Sequence, residues 1–216
     1  LTGANTYSGG TTISAGTLSV SADNNLGDAS GGLTFNGGML QVTGTAFTGT
    51  DRTITLGLLG GSFDIADAGN AFTASQAITG SGALTKLGAG TLILTGDSNY
   101  GGGTTISAGT LQLGNGGTSG SITGNVANNG TLAFDRSDTY TFAGTISGNG
   151  AAIQQGAGTT ILTADSNYTG GTTISAGTLQ LGNGGLSGSI TGNVTNNGTL
   201  AFYRSNGLVL AGVISG

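Results

Sequence analysis

One phrase is written three times along this chain, and the repetition restricts the possible folds more than any other feature. Residues 99–117 read NYGGGTTISAGTLQLGNGG, residues 167–185 read NYTGGTTISAGTLQLGNGG, and residues 5–18 read NTYSGGTTISAGTL. Residues 94–148 align with residues 162–216 without a gap and share 44 identities in 55 positions. Self-similarity at a fixed period predicts similar units that stack on one another.

The composition excludes several classes of function. The chain has 216 residues, no cysteine, histidine, proline or tryptophan, and nine acidic residues that are all aspartate. Without histidine and cysteine there is no Ser-His-Asp triad, no cysteine nucleophile, no zinc site of the usual ligands and no disulfide framework. We therefore expect no catalytic, cofactor-binding or metal-binding residues, and the sequence leaves the ligand-binding residues unassigned.

The 47 glycines are roughly three times the usual share, as in some disordered linkers. Disorder, however, goes with low hydrophobicity and high net charge. Here apolar residues are 36%, the mean hydropathy is +0.16 and the net charge is only −5. The apolar residues also fall in short alternating runs between turn signals, which favours a folded chain.

The sequence indicates neither a nucleic-acid partner nor a membrane span. The basic residues are only four and the sequence pI is about 4.1, which repels phosphate; they are Arg52, Lys86, Arg136 and Arg204. LVLAGVI at 208–214 is among the longest apolar runs, well short of the roughly 18 residues of a membrane helix. The chain begins and ends inside repeat phrases and shows no signal sequence, so we expect a segment of a longer protein.

Short strands are predicted within each block, because runs rich in β-branched and aromatic residues lie between Gly, Asn or Asp. Alternation is clear in TLQL, where Leu111 and Leu113 face one way and Gln112 the other. No run has the length and 3.6-residue spacing of a helix, so helix content should be close to zero. The predicted strands of one block are TTIS 104–107, TLQL 110–113, SITGNV 121–126, TLAF 131–134, TYTFAGTIS 139–147, AAIQQ 151–155 and TTILT 159–163.

Two architectures suit these strands, a sandwich of hairpins or a solenoid. Tyr7, Tyr100 and Tyr168 are separated by 93 and then 68 positions, close to four and three turns of roughly 23 residues. This favours a solenoid of nine or ten turns, a rod about 45 Å long in which like residues stack on like residues. Glycine and asparagine would supply the bends, although each Asn-Gly pair is also a hairpin signal; such pairs include Asn36-Gly37, Asn129-Gly130, Asn149-Gly150 and Asn197-Gly198.

The repeated phrase resembles a known family. LTGANTYSGGTTISAGTLSVS (1–21), LTGDSNYGGGTTISAGTLQLG (94–114) and LTADSNYTGGTTISAGTLQLG (162–182) resemble the autotransporter-associated repeat, also called the passenger-associated transport repeat. GSGALTKLGAGTLILTG (80–96) resembles the stretch that leads into such a repeat, and NNLGDASGGLTFNGGMLQ (24–41) resembles a common continuation.

The resemblance implies a passenger domain of a type V secreted protein of a Gram-negative bacterium. Such passengers are right-handed, single-stranded parallel β-helices that cross the outer membrane unfolded through their own C-terminal β-barrel and fold outside. Many are adhesins, aggregation factors or other virulence-related surface proteins. The all-β segment 1–216 would then be one β-helical piece, with repeat blocks 1–93, 94–161 and 162–216.

Several residues are candidate site residues with a plainer structural interpretation. Asp97-Ser98 resembles a serine-protease nucleophile motif, but Asp97 and its counterpart Asp165 more readily accept backbone N–H bonds in a turn. Arg136 and Arg204 could contact an acidic glycan or lie as surface cations beside a strand end.

Other candidates are tyrosines, aspartates and threonines. Tyr7, Tyr100 and Tyr168 could stack on a sugar or pack against a neighbouring coil, and threonine runs could form flat ladders, although a Thr-x-Thr array on every coil is not evident. A cation site at the aspartates is disfavoured because the glycine-rich calcium nonapeptide is missing and because Asp135 and Asp138 become Tyr203 and Asn206 in the next copy. The aspartates considered were Asp64, Asp67, Asp135 and Asp138.

The sequence therefore predicts a non-catalytic β-helical stalk that supports export and surface display, for adhesion or aggregation. Its expected partners are the C-terminal outer-membrane β-barrel, and a host surface or like passengers on other cells. A β-helical polysaccharide-binding or polysaccharide-degrading protein is the alternative, and it would need two or more carboxylates in one groove. A third possibility is an adhesive module marked by an exposed apolar or aromatic patch.

Overall fold

The computed structural model describes residues 1–216 as an all-β rod with one short 3-10 helix at Asp23–Leu26. The strands of the first half are β1 (Thr11–Ile13), β2 (Thr17–Val20), β3 (Leu33–Phe35), β4 (Met39–Val42), β5 (Gly49–Thr50), β6 (Ile54–Leu56), β7 (Gly61–Ile65), β8 (Ala71–Ala74), β9 (Ile78–Gly80), β10 (Leu84–Leu87), β11 (Thr91–Leu94) and β12 (Thr104–Ile106). Those of the second half are β13 (Thr110–Leu113), β14 (Val126–Asn128), β15 (Thr131–Phe134), β16 (Thr139–Phe142), β17 (Ile146–Ser147), β18 (Ala151–Gln154), β19 (Thr159–Leu162), β20 (Thr172–Ile174), β21 (Thr178–Leu181), β22 (Val194–Asn196), β23 (Thr199–Phe202) and β24 (Ile214–Ser215).

Every strand pairs in parallel with a strand one turn away, so the chain coils into a solenoid of about ten turns. Face 1 carries the sheet β1-β3-β6-β9 and, further along, the sheet β16-β19-β21-β23. Face 2 carries a seven-stranded sheet in the order β2-β4-β7-β10-β12-β14-β17. Face 3 carries a nine-stranded sheet in the order β5-β8-β11-β13-β15-β18-β20-β22-β24. The sandwich of hairpins is wrong, because no two neighbouring strands in any of the sheets are consecutive in the chain.

Face 1 is interrupted between its two sheets. Residues 97–100 and 121–122 lie there, and Asp97 and Ser121 form only an isolated parallel bridge. The backbone N–H of Asn99 still donates to the carbonyl of Ile78 on the preceding turn, at 3.1 Å. The stack therefore continues through the interruption by single hydrogen bonds.

The inward residues of the strands form one continuous core. A single cluster of 37 buried residues runs along the rod. Its N-terminal half contains stacked phenylalanines, with ring centroids 5.0 Å apart for Phe35 and Phe63, and 6.3 Å apart for Phe63 and Phe72. Burial of each such ring contributes roughly 1.5–3 kcal/mol, which is why such short strands are stable here.

Successive copies of the repeat lie on different faces of the rod. The TTI strands β1, β12 and β20 belong to face 1, face 2 and face 3 respectively. Leu111 pairs with Leu132, Leu132 with Ala152, and Ala152 with Thr172, so three turns end at Thr172. The repeat places the equivalent of Leu111 at Leu179, one face further on. From one copy to the next, the chain therefore completes a whole number of turns and then advances by one further face.

Two expectations about the turns are therefore wrong. The turns are not all close to 23 residues, because Leu92 pairs with Leu111 on the next turn, which is 19 positions further on, whereas Gly49 pairs with Thr73, which is 24 positions further on. Like residues of different copies do not stack in one column, because the copies are rotated about the axis. What stacks is the residue class, apolar on apolar, as at Leu92, Leu111 and Leu132.

Most predicted strands are confirmed, with two exceptions. The segment 121–126 is not a strand, because Gly120 and Gly124 have φ of +97° and +82° and bend the chain, so that β14 begins only at Val126. The segment 139–147 is two strands, β16 and β17, separated by a corner at Gly144 that packs against the backbone of Gly124 on the preceding turn. The one helix, Asp23–Leu26, is not long and apolar enough to span a bilayer.

Glycine at one corner is required by a close approach between turns. A Cβ atom on Gly102 would lie 2.3 Å from the backbone nitrogen of Ala83. We expect Gly102→Ala to lower the free energy of unfolding by about 1–3 kcal/mol, because the corner must move away from the preceding turn. Gly117→Ala is the matched control, since a Cβ there meets nothing within 4 Å, and its effect should stay within about 0.5 kcal/mol. Urea unfolding of both variants measures the difference, and equal stabilities would contradict the packing.

Candidate functional site

The repeated phrase folds into a corner that joins two faces. In the second copy Tyr100 is buried at 1% exposure, and its hydroxyl lies 2.7 Å from the hydroxyl of Thr104 at the start of β12. The third copy repeats this at 2.6 Å between Tyr168 and Thr172. In the first copy Tyr7 makes the same bond to its threonine but remains 40% exposed.

These distances decide the role of the tyrosines. Tyr100 and Tyr168 pack inside the rod, as the plainer interpretation expected, and neither presents a ring to a sugar. Burial raises the pKa of both hydroxyl groups, that of Tyr168 to about 12. The corner tyrosine is therefore a neutral core residue with one polar anchor.

The Asp-Ser pair before the tyrosine connects the turns on either side. The hydroxyl of Ser98 accepts a hydrogen bond from the backbone N–H of Ile78 on the preceding turn, at 3.0 Å. The carboxylate of Asp97 accepts bonds from the N–H of Gly120 and the hydroxyl of Ser121 on the following turn, at 3.1 and 2.8 Å. Asp97 therefore accepts a backbone N–H as predicted, although that donor lies on the next turn and not in its own.

The third copy keeps this connection. Asp165 accepts from the N–H of Gly188 and the hydroxyl of Ser189, at 3.1 and 2.7 Å, and Ser166 accepts from the N–H of Ile146 at 3.1 Å. The pKa of Asp165 is held below its usual value, first by the hydroxyl of Ser189. The motif that resembles a protease nucleophile is thus used twice to hold neighbouring turns together.

Arg136 is not a surface cation beside a strand end. Its side chain is 9% exposed, and Nε and Nη2 donate to the two carboxylate oxygens of Asp138, at 2.9 and 2.8 Å. Nη1 lies 3.4 Å from Asp97 Oδ1, Nη2 also donates to the carbonyl of Thr118, and the guanidinium lies 5.1 Å from the ring centre of Tyr140. These bonds hold the pKa of Asp138 below its usual value and leave no free cation here for an acidic glycan.

Arg204 repeats most of this arrangement in the next copy. Its side chain is 8% exposed, and it donates to Asn206 at 3.1 Å, to Asp165 at 3.4 Å and to the carbonyl of Leu186. Both arginines therefore hold the exposed glycine loop that follows the TLQL strand. We call these two groups the Arg136 clamp and the Arg204 clamp.

The remaining aspartates are dispersed. Asp64 accepts from Gln41 at 2.8 Å, Asp67 accepts from the N–H of Gly69 at 2.9 Å, and Asp135 lies 3.3 Å from the side-chain amide of Gln112. No group of three or more acidic side chains comes together in the rod.

The groove with the largest volume, about 540 Å³, lies along face 2 and has no charged or aromatic side chain in its lining. It runs from Gly101 through Thr105 and Asn125 to Ser147. The pair of carboxylates that glycoside hydrolysis uses is therefore absent from this groove.

Two surface features relate to the remaining expectations. Each of the two sheets of face 1 carries one threonine column over four successive turns, and neither forms a Thr-x-Thr array. One column consists of Thr139, Thr159, Thr178 and Thr199. The other, which we call the N-terminal threonine column, consists of Thr12, Thr34, Thr55 and Thr79. Beside it, Leu58 and Leu59 are 85% and 73% exposed and border a groove of about 530 Å³. This is the most exposed apolar pair outside the last turns of the rod.

The comparison with known families agrees with the corner geometry. The passenger-associated-transport-repeat family matches residues 1–20, 84–113 and 153–181, and each match includes a TTISAGTL segment. Three segments of the chain are thus similar to this repeat. In the second repeat the match begins with β10 and in the third it begins inside β18. Both matches end with the TLQL strand, so they include the buried tyrosine and the corner that we describe.

A curated relative supports the same family. The adhesin BmaC autotransporter of Brucella suis biovar 1 (strain 1330) is 52% identical over 109 residues, which cover 46% of this chain and 3% of the relative. The chain thus spans a small part of that relative's length. No solved structure matches the chain. The resemblance to an autotransporter passenger with these repeats is confirmed.

Two buried cations of the repeat region were not foreseen. Arg52 is 2% exposed and donates to both carboxylate oxygens of Asp23 and to the carbonyls of Asp28, Gly31 and Gly27. These bonds hold the segment 21–32 in place. In the first repeat this segment stands where the later repeats have the glycine loop that follows the TLQL strand. The only sequence signal for such a role is the rarity of charge, since just 6% of the residues are charged.

Lys86 is fully buried within the second repeat. Its Nζ donates to the carbonyls of Leu87, Gly88 and Ala108, at 2.6, 2.9 and 3.3 Å, and burial lowers the pKa of Lys86 to about 8. The third repeat has Gln154 at this position, and its amide donates to the equivalent carbonyl of Gly156 at 2.8 Å. An uncharged side chain can therefore replace the lysine.

The hydroxyl of the corner tyrosine gives a direct prediction. Tyr100→Phe leaves the buried hydroxyl of Thr104 without its partner, so the free energy of unfolding should fall by about 1 kcal/mol. Tyr203→Phe is the matched control, since that ring is 58% exposed, and it should leave the stability unchanged. Urea unfolding of the two variants measures this, and equal effects would show that the Tyr-Thr bond is not stabilising.

Lys86 gives a prediction about pH. From about pH 8 to 10.5 the unfolded chain keeps the proton on Lys86 while the folded chain releases it, so the stability should rise with pH. Between pH 7 and 9.5 we expect a gain on the order of 1 kcal/mol, because the bonds to three carbonyls offset part of the desolvation. The upper limit avoids ionisation of tyrosine in the unfolded chain, which opposes the gain.

The control for the lysine is the residue of the next repeat. Lys86→Gln should fold and lose this rise, and chemical unfolding at several pH values compares the two proteins. A rise of the same size in both proteins would assign the pH dependence to other groups.

Proposed function

We propose that this segment is a non-catalytic β-helical stalk of an autotransporter passenger, which assists folding and export across the outer membrane. The repeats and the autotransporter relative indicate a protein exported to the bacterial cell surface. The expected partner in export is the passenger's own C-terminal outer-membrane β-barrel. Blocks 1–93, 94–161 and 162–216 are the proposed units of the stalk.

The observation that carries this proposal is the nearest-neighbour character of the pairing. Every strand register links one turn only to the turn before or after it, as Leu111 does with Leu92 and Leu132. In such arrays the stability is approximately a sum over units and their interfaces, and folding can spread from any stacked unit. A chain that emerges gradually can therefore add turn after turn, and each added turn opposes return through the barrel.

The composition suits this path. With no cysteine in the chain, no bridge can form before export, and only 6% of the residues are charged. Several of the aspartates and arginines hold turns together, as at Asp97 and Arg136. We therefore assign these groups to the stack and not to catalysis.

Adhesion is the proposed role of the displayed rod. The Brucella relative is named an adhesin, and the exposed pair Leu58–Leu59 beside the N-terminal threonine column gives this rod an apolar contact surface. A host surface or like passengers on other cells are the proposed partners. Removal of the pair by Leu58→Ser and Leu59→Ser offers a first test of attachment.

The export role is tested by removal of one repeat unit. Deletion of residues 94–161 brings Leu162 to the place of Leu94, where the following sequence is nearly the same. With the chain placed ahead of an autotransporter barrel, we expect this shorter rod to be exported less efficiently because fewer turns oppose return. Surface exposure is measured by protease access to intact cells, relative to the amount of barrel in the outer membrane.

A variant of unchanged length separates the effect of folding on export from the effect of chain length. Leu111→Asp places a charge in the core, since Leu111 is fully buried, and should prevent stacking of the turns around it. Its export should fall further than that of the deletion. Export of both variants at the level of the original chain would overturn the proposed role.

A further inference from the structure

The Arg136 clamp connects three successive turns of the rod. Asp97 lies on the first of these turns, Thr118 and Ser121 lie on the second, and Arg136 and Asp138 lie on the third. Arg136 and Asp97 are 39 residues apart in the chain, yet Nη1 lies 3.4 Å from Oδ1. Strand pairing elsewhere joins only adjacent turns, so this contact has a longer range than the ladder that surrounds it.

The clamp is complete only when all three turns are stacked. With the third turn absent, the loop carbonyl of Thr118 and the carboxylate of Asp97 lose the donors of Arg136. With the first turn absent, Arg136 keeps Asp138 but loses Asp97. A cation that is 9% exposed loses much of its hydration, and its removal from water is offset only by these partners. Partly stacked forms are therefore disfavoured.

The Arg204 clamp is a natural variant with fewer charges. Asn206 stands where the first clamp has Asp138, and Leu208 stands where it has Tyr140. Arg204 thus keeps the contact to the earlier aspartate and to the loop carbonyl, but lacks the bidentate ion pair and the aromatic ring. Bidentate arginine–carboxylate pairs are stronger than bonds to a neutral amide. The two clamps therefore differ in strength.

We propose that the Arg136 clamp is a latch that locks three stacked turns into one cooperative unit and resists unravelling of the rod during export. This inference rests on the proposed function, in which stacking opposes return of the chain. Asp97 and Arg136 act as a pair in the latch, and Asp138 and Tyr140 hold the guanidinium in place. The Arg204 clamp is the weaker form of the same device.

Hydrogen exchange on the purified chain tests the latch without export. In Arg136→Gln we expect the hydrogen-bonded amides of residues 114–121, which are those of Gly114, Gly116 and Gly120, to exchange at least tenfold faster, while those of β4 and β7, far from the clamp, keep their rates. Arg136→Lys keeps the charge and loses the planar fork, so it should fold and show the same local change. It replaces Arg136→Gln in the test if that variant does not fold. Arg204→Gln should accelerate residues 182–189 by a smaller factor.

A double-mutant cycle separates a latch from two independent contacts. Asp97→Asn and Arg136→Gln should each accelerate the same amides, and the double variant should be no faster than Arg136→Gln alone. Independent accelerations that multiply in the double variant would overturn the latch, as would unchanged exchange of residues 114–121 in Arg136→Gln.

The export assay then tells the two proposals apart. If the variants lose protection in vitro and are also exported less, both the latch and the stalk function are supported. If protection is lost but export is unchanged, the clamp stabilises the turns but does not resist unravelling during export, and the export function itself is decided by the deletion of residues 94–161 and by Leu111→Asp. If protection is unchanged, the latch is wrong whatever the export shows.

Discussion

Parallel hydrogen bonding between each turn and the next is the interaction on which the rest of this structure depends. The rod contains 113 backbone hydrogen bonds, and 62 of them lie outside the strands, so the corners as well as the sheets are joined from turn to turn. Because an unpaired buried peptide group is costly, the very short strands persist only within such a continuous ladder. The glycines allow the corners to approach one another closely enough for this pairing.

The polar groups of the interior follow from the same ladder. Each corner leaves carbonyl and N–H groups that the next strand does not reach, and these groups are bound by a few side chains, most of which are buried. Tyr100 anchors a strand start, Ser98 and Asp97 bind backbone N–H groups of the preceding and following turns, and Lys86 binds three corner carbonyls. The three buried cations of the chain, Arg52, Lys86 and Arg136, are therefore structural, which accounts for their burial.

A rod of this kind suits export and display because its stability accumulates locally. Strand pairing joins each turn only to its neighbours, whereas the Arg136 and Arg204 clamps each make a contact that reaches two turns back. The rotation of each repeat by one face also means that the loops of successive repeats point in different directions around the rod. A surface that contacts the rod from one side meets the loop of one repeat and not of the next.

The sequence by itself determined the strands, the virtual absence of helix, the repeat family and a stack of about ten turns. Alternating apolar residues bounded by glycine and asparagine are local signals, and the repeated phrase is visible without coordinates. Only the tertiary structure decided the length of each turn, because the corners differ in length from one turn to the next and no local signal counts their residues. The rotation of the copies follows from these lengths. Burial of Arg52, Lys86 and Arg136 was likewise decided in three dimensions, since a charged side chain enters the interior only where unpaired groups from separate turns converge on it.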